Sequence, residues 1–343
     1  MVRSSLIHPF AEPPAAGAIQ PVAPGIGWVR MPLPFALDHI NLWVLDDGPD
    51  GVVLVDSGLG DDRTKALWRQ ILAGDLAGKR PNRLIATHFH PDHMGLAGWL
   101  CDELGVELTA TLREWLFGRM LWLEDSAEFT ANQVGYYRKI GFDAEQLEGV
   151  RSRGNTYRAR IDLIPVRVVG IRHGDVLDIG GQEWRVIEGG GHSPEHACLY
   201  CAEAGVLISG DQVLPRISPI VGVWPQQPES EPLSLFLDAL ARLRDVPEDT
   251  LVLPSHGLPF RGLHTRIAEL EAHHRERLER TLSACGQPVT ALDVLRVLFK
   301  RELDAHQIGF ATGETLAHLH HLMKQGSVVR EVAGDGVWRY RRA

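Results

Sequence analysis

The sequence predicts an α/β protein with two domains, and three observations lead to this fold class. The chain has 343 residues, more than the roughly 100–200 residues of a typical single domain. Hydrophobic residues make up 44% of it and charged residues 23%, so it carries enough apolar material for a folded core. In the N-terminal half, short apolar runs alternate with segments of helical periodicity, which is typical of α/β folds.

The composition argues against several classes of protein. No run approaches the ~20 apolar residues of a membrane helix, and the N-terminus lacks the apolar region of a secretion signal. The formal net charge of −9 argues against a general nucleic-acid binder, which normally has a basic surplus. Four cysteines are too few for a disulfide scaffold in so long a chain and are expected in the core. We therefore expect a soluble, cytoplasmic protein without a membrane or nucleic-acid partner.

The elements before residue 111 alternate between strands and helices. Apolar runs between Trp28 and Val55 are separated by the turn sequence DDGPDG, which predicts a β-hairpin. Residues 61–73 carry apolar residues at helical spacing behind an aspartate that can cap a helix. The run RLIAT predicts a buried strand ending at His88, LAGWLCDEL predicts a helix capped by Asp92, and VELTA predicts a further strand.

Residues 111–165 change character. They are helical in periodicity, rich in aromatic residues and free of strand signals, so we predict an insertion of two to four helices. Residues 166–215 return to short apolar runs between glycine-rich turns, as β-hairpins require. The segment PLSLFLDALARLRDV then predicts an amphipathic helix, and TLVLPSHG predicts a strand ending at His256.

Residues 263–343 predict a second domain. Three helical segments are followed by two strand-like runs around a Gly-Asp-Gly turn, an outline similar to a winged helix. From His264 onward, twelve lysines and arginines stand against ten aspartates and glutamates, so this part lacks the basic surplus of a nucleic-acid module. We interpret it as a winged-helix-like domain for packing or for formation of a homodimer.

The segment Thr87–His93 carries the strongest functional signal. It places His88, His90, Asp92 and His93 within six positions, behind a predicted strand and before a predicted helix. A loop at this point lets alternate side chains converge, and imidazole with carboxylate suits zinc, iron or manganese. We interpret the segment as a metal site rather than as a polar loop with solvated histidines, because the rest of the chain supplies matching partners.

The pattern H-x-H-x-D-H after a strand resembles the signature of the metallo-β-lactamase-fold superfamily. Further elements of that signature follow in the expected order within residues 25–262. They are Val55-Asp56-Ser57-Gly58, Gly191-His192-Ser193-Pro194-Glu195-His196, Ile208-Ser209-Gly210-Asp211 and Pro254-Ser255-His256-Gly257. The resemblance implies a four-layer αβ/βα sandwich for a catalytic domain of residues 1–262, with the helical insertion and the C-terminal winged-helix-like domain added to it.

The resemblance also implies a site for two divalent metal ions, with zinc expected and iron or manganese as alternatives. His88, His90 and His192 would bind one ion, Asp92, His93 and His256 the other, and Asp211 both. Ions ~3.5–4 Å apart would share a hydroxide that attacks a carbonyl, while one ion stabilises the oxyanion and the other the leaving group. Asp92 is the expected catalytic residue, because it is also placed to accept a proton.

Other residues near these motifs have more than one interpretation. Asp56 either orients a metal-binding histidine or caps a turn, and His196 is interpreted as a structural residue more than as a ligand. His39 and His173 are interpreted as ordinary loop or sheet residues. The C-terminal histidines are interpreted as residues on helix surfaces or in helix packing, and they are His273, His274, His318, His320 and His321.

Departures from known groups of the superfamily narrow the expected activity. Asp211, together with the lack of a cysteine at a ligand position, argues against antibiotic hydrolysis as the main activity, and His90 argues against the flavodiiron proteins. The full ligand set resembles the glyoxalase II group, with thioesterases, lactonases and persulfide dioxygenases nearby. The C-terminal outline resembles the branch of β-lactamase-like-protein-2 endoribonucleases and related thioesterases.

The insertion offers two kinds of substrate contact. We expect it to lie over the metal site as a lid, where its aromatic residues either line an apolar pocket or pack the insertion against the body. These aromatic residues are Trp115, Phe117, Trp122, Phe129, Tyr136 and Tyr137. Four arginines either bind an anionic group, such as the phosphates of coenzyme A, or form a solvated face. They are Arg151, Arg153, Arg158 and Arg160.

The predicted reaction is hydrolysis of an ester-type bond, preferably an acyl thioester of the coenzyme A or glutathione type. A thiolate leaving group needs little help from an acid, and no dedicated acid is evident outside the metal cluster. A lactonase is one alternative. A persulfide dioxygenase with a single iron at His88, His192 and Asp211 is another, and an endoribonuclease or phosphodiesterase is the third.

Overall fold

The computed structural model describes residues 6–300, 302–304 and 307–343. The chain divides into two compact units. The first unit consists of Met1–Leu123, Tyr157–Pro219 and Ala239–Ile267, and the second of Glu124–Thr156, Ile220–Asp238 and Ala268–Ala343. The helical insertion is therefore shared between the two units.

The first unit contains a mixed sheet whose strands follow one another in chain order. They are β1 (Ile19–Ala23), β2 (Ile26–Pro32), β3 (His39–Asp46), β4 (Gly51–Val55), β5 (Arg80–Ile85), β6 (Leu108–Thr111) and β7 (Val169–Ile171). The pairs from β1 to β4 are antiparallel, and the pairs from β4 to β7 are parallel. The hairpin predicted around DDGPDG is confirmed as β3 and β4. The parallel strands matter for the site, because their C-terminal ends meet at one edge of the sheet.

A second sheet in the first unit has the order β12-β11-β10-β9-β8. Its strands are β8 (Val176–Ile179), β9 (Gln182–Glu188), β10 (Ala197–Cys201), β11 (Val206–Gly210) and β12 (Leu251–Pro254). Neighbours are antiparallel except β11 and β12, which are parallel. The C-terminal ends of β11 and β12 therefore lie side by side.

The two sheets bury one apolar core between them. Trp28 and Trp43 pair across β2 and β3, and both pack in the same cluster as Trp184 of β9 and Ile208 of β11. All four side chains are almost fully buried, and each large apolar side chain so buried contributes about 1.5–3 kcal/mol. The sheets, flanked by helices, confirm the predicted α/β sandwich.

Helices of the first unit cover its outer faces and carry part of the site. They include α1 (Asp62–Ala73), α2 (Pro91–Met94), α3 (Ala97–Leu104) and α4 (Leu112–Leu123). Asp61 caps α1 by accepting from the Thr64 amide, as predicted. The predicted cap at Asp92 is wrong, because Asp92 lies inside α2 and α3 begins only at Ala97. The short helix instead turns Asp92 and His93 toward the strand ends.

The remaining helices and the last sheet have the predicted order. The insertion continues with α5 (Ala127–Ile140), α6 (Ala144–Arg153) and a 3₁₀ turn at Arg158–Arg160. Then follow α7 (Pro232–Leu243), α8 (Leu263–Ala284), α9 (Ala291–Leu298), α10 (Gln307–Lys324) and the antiparallel hairpin of β13 (Val328–Val332) and β14 (Trp338–Arg342). Across the described ranges, no helix is both long enough and apolar enough to span a bilayer.

The second unit has a core of its own, and two of the insertion's tyrosines belong to it. Tyr136 and Tyr137 are buried, and the Tyr136 hydroxyl donates to the Val223 carbonyl at 2.8 Å. The Tyr136 ring also meets Trp338 edge to face. These two tyrosines therefore pack the unit, which is the second of the two roles considered for them. The four cysteines of the chain are likewise buried and unpaired.

Candidate metal centre

The seven predicted ligands lie beyond the C-terminal ends of strands in the first unit. Those on the segment Thr87–His93 follow β5, His192 follows β9, Asp211 follows β11 and His256 follows β12. The structure brings all seven together as two groups, within each of which the ligand atoms lie within 4.8 Å of one another. The first group is His88, His90, His192 and Asp211, and the second is Asp92, His93 and His256. Ligation itself stays a prediction.

The first group consists of three closely spaced imidazoles and one carboxylate. His88 Nε2 lies 2.9 Å from His90 Nδ1 and 3.2 Å from His192 Nε2. His192 Nε2 lies 3.4 Å from Asp211 Oδ2. The ring nitrogens therefore converge on one point, as ligands around a cation do.

The second group faces the other oxygen of the same aspartate. His256 Nε2 lies 3.4 Å from Asp211 Oδ1 and 3.4 Å from Asp92 Oδ2. His93 Nε2 lies 3.6 Å from Asp211 Oδ1. Asp211 thus turns one carboxylate oxygen toward each group, which is the position expected of a bridging residue.

Two buried polar atoms at the centre test whether a metal ion fits. Among the described residues, His93 Nε2 and Asp211 Oδ1 have no hydrogen-bond partner. A buried polar atom left without a partner costs roughly 1–3 kcal/mol. A cation held by the second group would satisfy both atoms, and imidazole with carboxylate is a suitable donor set for divalent ions. The residues present therefore fit the metal ions that the sequence predicts.

The electrostatics around His88, His90 and Asp211 favour the charge states that metal ions need. Burial, and then the neighbouring imidazoles, hold the pKa values of His88 and His90 well below the usual value of histidine. Burial disfavours the charged form of Asp211, but His256 and His93 outweigh it and hold its pKa well below the usual range. Neutral imidazole and ionised carboxylate are the ligand forms of these side chains.

Asp56 holds His93 from the side opposite the centre. Its Oδ2 lies 2.8 Å from His93 Nδ1, and its Oδ1 accepts from the Thr87 amide at 2.7 Å. Burial lowers the pKa of His93, but Asp56, Asp92 and Asp211 outweigh it and raise that pKa to about 9. Of the two roles considered for Asp56, the structure therefore supports that of orienting a histidine.

His39 has a role that the sequence did not reveal. Its carbonyl accepts from His256 Nδ1 at 2.7 Å, and its ring Nε2 accepts from the Gly257 amide at 2.8 Å. Nearby, Asn41 donates to the carbonyls of Pro254 and Gly257. These contacts fix the loop of His256. They join residues more than 200 positions apart, so no local sequence signal could have identified them.

His196 takes no part in either group. Its Nε2 accepts from the Asp211 amide at 3.1 Å, and burial lowers its pKa to about 3. A neutral ring that accepts a backbone hydrogen bond is a structural support, as the sequence suggested. His173 lies outside the centre as well, where its Nδ1 accepts from the Glu188 amide.

Of the predicted substrate residues, Phe117 and Arg160 have contacts that lead toward the centre. The Phe117 ring lies 4.9 Å from the ring of Phe89, which lies 4.6 Å from that of His90. The guanidinium of Arg160 lies 4.7 Å over the ring of Phe35, and burial lowers its pKa while Asp92 opposes that shift. Both side chains are half-buried.

Other predicted substrate residues are engaged elsewhere. The Trp115 indole donates to the Pro165 carbonyl, and Arg119 lies over the Trp122 ring. Arg151 forms an exposed ion pair with Glu148, so the solvated face considered for these arginines applies to it.

Comparisons with known proteins agree with this architecture. Residues 36–256 match the family model described as "Metallo-beta-lactamase superfamily", and residues 278–343 match the one described as "Metallo-beta-lactamase-like, C-terminal domain". The crystal structure of a "Beta-lactamase domain protein from Burkholderia ambifaria" is 46% identical, covers 98% of each chain and superposes with a TM-score of 0.91.

Two relatives have names that state an activity. The "Probable metallo-hydrolase YqjP" of Bacillus subtilis is 25% identical over 322 residues, which are 90% of this chain and 96% of that protein. The "Acyl-coenzyme A thioesterase MBLAC2" of Bos taurus is 28% identical over 198 residues, which are 55% of this chain and 63% of that protein. The match to that thioesterase thus spans slightly less than two thirds of its length.

Proposed function

The chain is a metallo-hydrolase of the metallo-β-lactamase superfamily, and from this premise we propose that its substrate is an acyl thioester of the coenzyme A or glutathione type. One observation carries the hydrolytic part of the proposal. Asp211 offers one carboxylate oxygen to each of two ligand groups, and this arrangement suits hydrolysis at a dinuclear centre. The similarity to a protein named as an acyl-coenzyme A thioesterase supports the thioester in particular.

In this proposal the seven clustered side chains hold two divalent ions, with zinc expected. His88, His90 and His192 would bind one ion, Asp92, His93 and His256 the other, and Asp211 both. When bound, the ions supply the Lewis acidity that activates water and polarises a carbonyl group. Asp56 and the His39 carbonyl orient His93 and His256 through their Nδ1 atoms, so that each Nε2 faces the centre.

Asp92 is the residue that we assign to proton transfer. Its side chain is 19% exposed, and its Oδ2 lies 3.4 Å from His256 Nε2. The other carboxylates around the ligand loops are engaged with the chain. Asp56 and Glu114 are buried and accept hydrogen bonds, and Glu195 accepts from the Arg113 amide and pairs with the Arg113 guanidinium at 3.1 Å. We therefore assign no leaving-group acid to these three described carboxylates. A thiolate needs no such acid, and this supports a thioester over an amide or a phosphodiester.

The surroundings of the centre support both ends of such a substrate. Phe117 and Phe89 form an apolar contact beside His90, which suits an acyl chain. Arg160, stacked on Phe35, suits an anionic group because a guanidinium binds carboxylate or phosphate in a bidentate manner. We therefore propose that the acyl group lies toward Phe117 and the thiol part toward Arg160.

The arginines of the C-terminal hairpin argue against the nuclease alternative. Three of its four arginines pair with acids, namely Arg330 with Glu229, Arg339 with Asp335 and Arg341 with Glu331, each at 2.8 Å. The fourth, Arg342, donates to the Leu282 carbonyl. Arginines that are paired with acids give no basic track for phosphates. In a gel-shift experiment at low salt, where electrostatic binding is strongest, we expect the protein to leave the mobility of RNA and DNA unchanged.

The proposal is tested by metal content and turnover, measured on the same preparation. Protein purified without added metal is analysed for its elements and assayed with acyl-coenzyme A, acyl-glutathione, lactone and phosphodiester substrates. About two divalent ions per chain and turnover confined to thioesters are expected. If the protein instead turns over the lactone or the phosphodiester, that compound class is the substrate and the thioester assignment is wrong. A single iron per chain with oxygen consumption on a persulfide would overturn the hydrolase proposal.

A further inference from the structure

Glu114, on α4, is a buried carboxylate with an unusual set of partners. Its side chain is 0% exposed, and among the described residues no lysine or arginine forms an ion pair with it. Burial raises its pKa to about 7, although three hydrogen bonds oppose that shift. Burying a carboxyl group is costly unless it is well hydrogen-bonded. The stability of Glu114 in the core therefore depends on its hydrogen-bond donors.

All the donors to Glu114 belong to the loops that carry the first ligand group. Its Oε2 accepts from the Phe89 amide at 2.9 Å. Its Oε1 accepts from the Ser193 hydroxyl at 2.7 Å and from the Glu195 amide at 2.6 Å. Phe89 stands between the ligands His88 and His90, and Ser193 follows the ligand His192. One carboxylate thus bridges two loops that are about 100 positions apart in the sequence.

Neighbouring contacts hold the same turn against the start of α4. The Thr111 hydroxyl donates to the Glu195 carbonyl at 2.8 Å, and the Arg113 amide donates to the Glu195 carboxylate at 3.0 Å. Farther along α4, Gly118 lets the helix approach closely, because an added Cβ would lie 2.8 Å from the Tyr157 hydroxyl and 3.2 Å from the Phe89 Cβ. The helix is therefore fitted to both loops, and Glu114 is the residue that joins them.

We propose that Glu114 is a positioning residue, whose carboxylate fixes the spacing between the two loops and so preorganises His88, His90 and His192 for one metal ion. It acts through backbone and hydroxyl groups and does not touch the metal. The inference rests on the ligand groups of the proposed function, but not on the thioester substrate. The proposed effect of Glu114 on metal binding also differs between the two ligand groups, because among the described residues Glu114 has no hydrogen bond to the loop of His256.

The test isolates each ligand group in the full-length protein. A His256→Ala background leaves the first group complete, and a His88→Ala background leaves the second group of Asp92, His93 and His256 complete. Metal-stripped protein of each background is titrated with Co²⁺ against a competing chelator, and binding is followed by visible absorption. Glu114→Ala is expected to weaken Co²⁺ binding at least about tenfold in the first background, as loss of an orienting group does, and to leave the second background unchanged.

A graded variant and a matched control separate positioning from stability. Glu114→Gln keeps one side-chain oxygen and the shape of the residue, so it can hold one loop but not both, and an intermediate affinity is expected. Ile71→Ala, at a fully buried position of α1 in the same unit, should lower the melting temperature without changing the Co²⁺ affinity. In metal-free protein, Glu114→Ala should also speed hydrogen exchange at the Phe89 and Glu195 amides.

The outcomes separate this inference from the ligand assignment. If the His256→Ala background binds no Co²⁺ even with Glu114 present, the ligand assignment fails. If it binds Co²⁺ with an affinity that Glu114→Ala leaves unchanged, the assignment stands and the positioning role is overturned. Equal losses in both backgrounds would show a general structural role and would also overturn it. Should the alanine variant not fold, the same comparison made with Glu114→Gln decides the question.

Discussion

Asp56 and His93 form a buried pair in which the carboxylate Oδ2 lies 2.8 Å from the imidazole Nδ1. The carboxylate accepts a hydrogen bond from Nδ1–H, so the other ring nitrogen, Nε2, is left to face Asp92 and Asp211. Asp56 itself has a φ of 63°, a backbone conformation that aspartate and asparagine adopt more readily than most residues. A carboxylate behind a histidine is a common way to raise its basicity toward a metal ion.

We therefore expect Asp56→Asn to weaken metal binding by the second group about 10–100-fold. Asparagine tolerates the positive φ, but its amide can donate to Nδ1 and so move the ring proton to Nε2. The measurement is a metal titration in the His88→Ala background, where the second group alone remains. Asp61→Asn, at the cap of α1, is the control, because asparagine caps a helix as well as aspartate does. Equal affinities in the two variants would contradict the orienting role of Asp56.

Removal of a proposed ligand should lower the metal content in a way that depends on its group. His88→Ala is expected to lose the ion of the first group, and Asp211→Ala to weaken both, because each of its oxygens faces a different group. Both variants should lose turnover and keep the far-ultraviolet circular dichroism of the parent protein. Elemental analysis gives the metal count, with His173→Ala as the control outside the centre. A variant with full turnover and an unchanged metal count would show that the assignment is wrong.

A buried histidine pair in the second unit should make stability depend on pH. His318 Nδ1 donates to the Glu314 carbonyl, and His318 Nε2 lies 3.2 Å from His274 Nδ1. Burial, and then nearby cationic groups, lower the pKa of His274 to about 2; burial likewise lowers that of His318 to about 4. In the unfolded chain both would titrate near 6.5. Their stabilising contribution is therefore complete above that pH and is lost as the pH falls toward 4.

The expected loss is roughly 1 kcal/mol per pH unit for each histidine over that window. Denaturant unfolding of metal-stripped protein at pH 7.5 and pH 5.5 measures it. In His274→Phe, the difference in unfolding free energy between the two pH values should shrink by about 1 kcal/mol. His173→Gln, which changes an exposed histidine, should leave that difference as it is. A difference that His274→Phe does not reduce would mean that this imidazole does not stay neutral in the fold.

Two helical glycines should respond to alanine in opposite ways. A Cβ added at Gly98 of α3 would lie 2.5 Å from the Leu163 carbonyl oxygen, whereas one at Gly135 of α5 would meet nothing within 4 Å. Gly98→Ala is expected to cost roughly 1–3 kcal/mol through overpacking. Gly135→Ala should stabilise by about 0.5–1 kcal/mol, because alanine loses less backbone entropy in a helix. Thermal unfolding of both variants checks the pair, and a stabilised Gly98→Ala would show that α3 can move away from Leu163.

The sequence predicted the parts of the site that local spacing controls. The segment Thr87–His93 holds four side chains on one short loop and helix, so their proximity follows from chain geometry alone. His192, Asp211 and His256 could be added because each stands just after a strand, in a motif with a known order. The structure brings all of them together. The helix behind Asp61 and the final hairpin were predictable for the same reason, since periodicity and turn residues are local signals. The sandwich was instead implied by the resemblance that these motifs carry.

Contacts between distant segments were not predictable, because they depend on sheet register and on packing. The role of His39 requires β3 to lie beside the loop after β12. That of Glu114 requires α4 to face two loops at once. The aromatic residues of the insertion illustrate the same limit, since helical periodicity could not tell that Tyr136 packs in a core while Phe117 leads toward His90.

The sequence by itself thus determined the fold class and predicted which side chains cluster at the strand ends, because residue type and strand-end position are properties of short segments. The tertiary structure alone decided which residues orient the ligands. Hydrogen bonds such as Asp56 to His93 and Glu114 to Phe89 act over about 3 Å, and only the packed sheets and helices bring their partners within that distance.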